Sequence, residues 1–165
     1  MARTLGPGAD NGGCESMAPM SSYRTLVPMR WSDMDVYQHI NNVQVVRLLE
    51  EARVQAFTAW DDPAERPVLE SGVLVARTEV EYLRQLDFRI APIAIDLWVS
   101  KMSGATIELG YEVREPDDDS PPYARAESTL VMFDLQAGRP RRLSPVELDR
   151  LSQWTGDPVT MRWRR

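Results

Sequence analysis

The sequence is poor in the residues that carry redox and metal chemistry. It has a single cysteine, Cys14, and a single histidine, His39. One thiol excludes an intrachain disulfide and fits a reducing compartment, and without a Cys/His cluster the pattern calls for no metal and no other cofactor. Long apolar runs are missing too. The longest, around Ile90 to Val99, is interrupted by Pro92 and Asp96, and the first two dozen residues contain no apolar stretch. Neither a membrane span nor a secretory signal is therefore expected. Positive charge is in deficit: 19 Lys and Arg stand against 25 Asp and Glu, a net charge of -6. A nucleic-acid partner would need a broad basic face. The basic clusters present, Arg139 with Arg141 and Arg142, and Arg162 with Arg164 and Arg165, are short and read as solvated surface. What remains is the profile of a cytoplasmic protein whose 165 residues, 43% of them hydrophobic, suffice for one domain.

Residues 1–22 contain "GPGADNGG" and no periodicity, which predicts a disordered leader. From Tyr23 the pattern alternates through Val27 and Met29 to Trp31, a half-buried strand that Pro28 assigns to a sheet edge. Asn42 to Trp60 then carries Val45, Leu49, Ala52 and Ala56 at helical spacing, with Asn41 as N-cap and Asp61 to Pro63 closing the far end. Everything after Pro67 reads as strand until the tail. Leu74, Ala76, Thr78, Val80 and Tyr82 share one face of the strand spanning 72–83, and Val73, Val75, Arg77, Glu79 and Glu81 the other. Three further strands follow around Ile93 to Val99, Ile107 to Val113 and Ala124 to Met132. Ser144, Pro145 and Glu147 open a short terminal helix that Gly156 stops. The domain then spans 23–156, with a tail over 157–165. A single helix without a second helical layer has to be covered by sheet. The expected fold is α+β, an antiparallel five-stranded sheet wrapped around one long central helix, which is the hot dog fold.

The richest chemistry sits just before that helix. Asp33, Asp35, His39, Asn41 and Asn42 crowd into ten residues of "DMDVYQHINNVQVVRLLEEAR", and "RTEVEYLRQL" follows from Arg77. These two segments, in this order and spacing, resemble the 4-hydroxybenzoyl-CoA thioesterase branch of the hot dog superfamily, and the resemblance runs from about Tyr23 to Asp134. It implies an acyl-CoA or acyl carrier protein thioester as substrate. It also implies that Asp35 is the catalytic carboxylate, nucleophile or general base, and that Asp33 is structural. By position, His39 would order the loop or the water, Asn42 would stand at the helix entrance near the acyl group, and Trp31 would line the site. Physical chemistry agrees: a thioester needs an attacking group and donors for the developing oxyanion, and amides around Asn41 and Asn42, at the positive end of the helix dipole, are such donors.

Plainer roles compete. Asp and Asn before a helix also serve as caps and turn formers, and His39 reads equally well as a hydrogen-bonding brace. Glu50 and Glu51 offer further carboxylates, but Arg47, four residues before Glu51, favours a surface ion pair. The chain departs from the family where Gln38 replaces a common glycine, Val45 a tyrosine and Gln85 a proline, and where a glycine-aspartate pair is missing around Asp87 to Arg89. A catalytically silent acyl-CoA-binding module and a hot dog hydratase or dehydratase are the alternatives to hydrolysis. The resemblance also implies a homodimer or dimer of dimers formed through the strand 72–83, with two protomers sharing each site; CoA phosphates would then meet arginines from either protomer, and Arg77, Arg84 and Arg89 lie nearby in sequence without any one of them being assignable.

Overall fold

The computed structural model describes residues 21–61, 68–117 and 120–162. Cys14, nearly all of the expected leader, Pro63, Arg164 and Arg165 lie outside the described residues. The elements run β1 (Tyr23–Val27), a 3-10 turn (Trp31–Asp33), α1 (Asn42–Trp60), α2 (Val68–Ser71), β2 (Val73–Tyr82), β3 (Ile93–Ser103), β4 (Thr106–Arg114), β5 (Ala124–Asp134), β6 (Arg139–Pro140) and α3 (Pro145–Ser152). The strands pair antiparallel in the order β1-β3-β4-β5-β2, and the two-residue β6 adds to the end of β5. The five expected strands thus form the sheet that α1 packs against.

Helix α1 begins and ends where its caps predict. The Asn41 side chain accepts from the Val43 amide, and the Asp61 amide returns to the Phe57 carbonyl. Leu48, Leu49, Ala52, Ala56 and Phe57 are buried against Ile95, Leu97, Ile107, Leu109 and Leu130 of the sheet. Each Leu, Ile or Phe side chain among them that is removed from water contributes roughly 1.5–3 kcal/mol. Tyr23, Phe57, Trp60 and Trp154 close the far end as an aromatic cluster, with Trp60 stacked on Trp154 at 5.8 Å.

Several expectations are corrected. The first strand stops at Val27, four residues before Trp31, because Pro28 has no amide to continue the ladder. The strand-only reading after Pro67 misses α2, whose four residues are too few to show a helical period. Helix α3 ends at Ser152, and Gly156 instead donates its amide to the Val99 carbonyl. The face assignment of β2 is also wrong for its first half. Ala76 is skipped by the register, a bulge between Val75 opposite Leu130 and Arg77 opposite Thr129. Side chains alternate strictly, so one extra residue moves everything before it to the other face. Val73 and Val75 therefore join Thr78 and Val80 on the helix side, while Leu74 joins Arg77, Glu79 and Glu81 outside.

Strand β3 is buried on both faces from Ile93 to Val99. Its outer face is covered by the segment after α3: Trp98 packs with Val159 and Met161, and its indole donates to the Asp157 carbonyl at 2.8 Å. Gly110 opposite leaves room for that ring, since a Cβ there would lie 2.4 Å from it. Residues 157–162, expected as a tail, lie across the sheet.

Candidate functional site

The loop from Arg30 to Asn41 is built from its base. Asp33 is buried; its carboxylate accepts from the Arg30 amide and the Arg47 guanidinium, both at 2.7 Å, and its carbonyl accepts from the Asn41 amide at 2.9 Å. These bonds fix the point at which the chain enters α1. Arg47 also donates to Gln44, so the expected Arg47–Glu51 ion pair does not form; Glu51 accepts from Gln55 instead.

Beyond Asp33 the chain makes a small reversal. Met34 bridges to Ile40, and the Asp35 amide donates to the His39 carbonyl at 2.9 Å. One carboxylate oxygen of Asp35 accepts from the Tyr37 amide at 2.8 Å and, more weakly, from the His39 amide at 3.4 Å. Gln38 sits at φ 67, the left-handed region that glycine adopts without penalty. The position where the family commonly has glycine is therefore the one that the turn strains.

This reversal docks on the stretch that follows β2. His39 bridges to Asp87, with Nε2 3.7 Å from the Asp87 carboxylate, and the Ile40 amide donates to the Leu86 carbonyl at 2.8 Å. That stretch is held in turn by the Leu83 and Arg84 amides, which both donate to the Tyr123 carbonyl. The result is a cleft of about 280 Å³ between the loop, the first turns of α1 and residues 82–86. Asp35, His39 and Asn42 line it, with Ile40, Val45, Leu86, Val113 and Ala124 supplying apolar wall.

The helix start supplies one free donor. The Asn41 amide is taken by Asp33, and the Val43 amide by the Asn41 side chain. No acceptor for the Asn42 amide is found among the described residues. Tyr82 spans the mouth, its hydroxyl donating to the Asn42 carbonyl at 3.1 Å, and burial pushes its pKa up.

Three of the five sequence-predicted site residues meet in the cleft, and two do not. Trp31 is 74% exposed in the single chain and lies outside this cleft, in the 3-10 turn that follows the early end of β1. Asn41 spends its side chain on capping α1 and is also not part of the cleft wall. Sequence reasoning used "RTEVEYLRQL" as part of the resemblance and named Arg84 among the candidates for the CoA phosphates, but did not place Tyr82 and Leu83 with it in the wall of this cleft. Among the described residues no three His, Cys, Asp or Glu side chains gather as a metal site, and no helix is long and apolar enough to cross a membrane.

The comparisons with known proteins agree with this architecture. The family model of the thioesterase-like superfamily matches residues 29–154. No curated protein matches significantly in sequence. Among solved structures, the chain is similar to a predicted thioesterase from Bacillus stearothermophilus, with a TM-score of 0.72 at 19% identity over 84% of this chain and 100% of that one. A thioesterase from Thermus thermophilus complexed with coenzyme A and Zn gives a TM-score of 0.65 at 23% identity, covering 82% and 96%. A candidate acyl-CoA thioesterase from Xanthomonas campestris gives 0.60 at 28% identity, covering 71% and 97%. The matched span takes in the Asp35 loop, α1 and the whole sheet after it, and the chain accordingly belongs to the thioesterase-like superfamily, a thioester hydrolase of hot dog fold.

Proposed function

We propose that the protein hydrolyses an acyl-CoA, or an acyl carrier protein thioester, to a carboxylic acid and a free thiol, in the manner of the 4-hydroxybenzoyl-CoA thioesterase branch. The observation that carries the reading is the convergence of Asp35, His39 and Asn42 on one cleft at the start of α1. Asp35 attacks the thioester carbonyl carbon or takes a proton from an attacking water. The Asn42 amide, at the positive end of the helix dipole, holds the oxyanion. Collapse of the tetrahedral species breaks the C–S bond and expels a thiolate, whose conjugate acid has a pKa of about 8.5, so little acid assistance is needed; where Asp35 is the nucleophile, water then hydrolyses the acyl–Asp35 anhydride to the carboxylic acid and the free carboxylate. His39, tethered to Asp87, orders the loop or the water. The apolar wall takes the acyl group, and Val45 in place of an aromatic side chain leaves that wall wider. Release of thiol from a panel of acyl-CoA thioesters is the direct test; no release from any of them would overturn hydrolysis in favour of a binding module.

The functional unit we infer is a homodimer, or a dimer of dimers, joined through β2, acting in the cytoplasm. Support comes from β2 being an edge strand whose helix-side residue Val75 stays 48% exposed, although its neighbour Leu130 is fully buried. An unpaired edge is a template for a second chain, and a twofold contact suits it. Sedimentation at micromolar concentration is expected to show no 18.8 kDa monomer. The Val75→Asp variant should dissociate and lose activity together, and an active monomer would contradict the interface and the shared site.

A further inference from the structure

We infer that Arg84 is the residue that receives a phosphate of the thioester carrier, pre-set for it by stacking on Tyr123. The inference rests on the thioesterase reading of the cleft. Three arginines lie close in sequence to the second half of the site, and the structure gives them different fates. Arg77 is committed to Glu79 and lies 3.7 Å from Glu127 on the outer face of the sheet. Arg89 donates to Glu115 at 2.7 Å. Arg84 has no carboxylate within reach among the described residues and is the only one of the three in the wall of the Asp35 cleft.

Its geometry is that of a prepared anion contact. The guanidinium carbon lies 3.8 Å from the centre of the Tyr123 ring, and one terminal nitrogen donates to the Ser120 hydroxyl at 2.9 Å. Stacking occupies the face of the guanidinium and leaves edge N–H groups for an acceptor in its plane, the arrangement that suits a phosphate. The platform is itself fixed. The Tyr123 amide donates to Val113, and its carbonyl accepts from the Leu83 and Arg84 amides. Glu115, which also contacts that platform, is engaged by Arg89 and by the Tyr123 hydroxyl. Among the described residues the charge of Arg84 thus meets no carboxylate. In a chain of net charge -6 the field far from the site repels a phosphorylated carrier, so the attraction has to be local.

Calorimetric binding of the free thiols tests this without turnover. The full-length Arg84→Met variant, which keeps an unbranched apolar stem over Tyr123, is expected to bind CoA about tenfold more weakly than wild type and to bind pantetheine, which has no phosphate, as well as wild type does. Arg84→Lys should recover part of the loss, having the charge without the planar fork. A third ligand, 4′-phosphopantetheine, separates the sources. A loss that persists with it identifies the phosphate shared by CoA and carrier protein, whereas a loss confined to CoA identifies the nucleotide end; either result upholds the contact. Equal weakening with pantetheine, or undiminished CoA binding, would overturn it. Wild-type protein that binds CoA through Arg84 but hydrolyses no thioester would instead overturn the reading of the cleft as an active site.

Discussion

The base and the tip of the loop before α1 are two residues apart in sequence and opposite in character. At the base, Asp33 is buried and bonded to the Arg30 amide and the Arg47 guanidinium, so its carboxylate is used up in joining the loop to the helix. At the tip, Asp35 is half-buried, spends one oxygen on the amides of its own turn, and lines a cleft. In the proposed mechanism the same side chain is scaffold in one place and reagent in the other. What separates them is whether neighbouring donors from distant parts of the chain consume the charge, as Arg47 does for Asp33 from fourteen residues away.

That contrast can be broken at either aspartate. Asp33→Asn leaves the three-quarters-buried Arg47 guanidinium without its carboxylate, a loss of about 2–3 kcal/mol in chemical denaturation. The fraction that stays folded should keep nearly normal turnover. A stable variant with a collapsed rate would move Asp33 from scaffold to chemistry. At the tip, His39→Ala should lower turnover about tenfold, or roughly 1.4 kcal/mol, with little change in melting temperature. An unchanged rate would reduce His39 to a brace on Asp87. The smallest effect is expected at Gln38. Replacing it with glycine removes the left-handed strain at φ 67 and should stabilise the protein by up to about 1 kcal/mol. Destabilisation would mean that the glutamine side chain holds the tip through contacts that outweigh its backbone cost.

How much of this was legible in the sequence depended on how local each cause was. Helix α1 could be placed to the residue because its caps, Asn41 and Asp61, lie next to it in the chain. The core faces of β3, β4 and β5 followed from strict alternation. The inner face of β2 did not, because the bulge at Ala76 involves no glycine or proline and is visible only in the register with β5. The site divides in the same way. Asp35, His39 and Asn42 could be picked out from one stretch and one resemblance. The bond that makes Asp33 structural and the Tyr123 carbonyl that brings Leu83 and Arg84 into the cleft wall are non-local. Trp31 lies outside this one-chain cleft for a related reason: alternation predicts a strand beyond Pro28, whereas Trp31 opens the 3-10 turn that Asp33 secures.

In the proposed mechanism hydrolysis depends on the charge at Asp35. The decisive measurement is thiol release from the best acyl-CoA substrate by the Asp35→Asn variant, with folding confirmed by circular dichroism. Asparagine preserves the shape of the turn and its acceptor for the Tyr37 amide while removing the carboxylate's basicity. An intact fold and a kcat at least about a hundredfold lower are expected. A folded variant that retains wild-type turnover would contradict that mechanism.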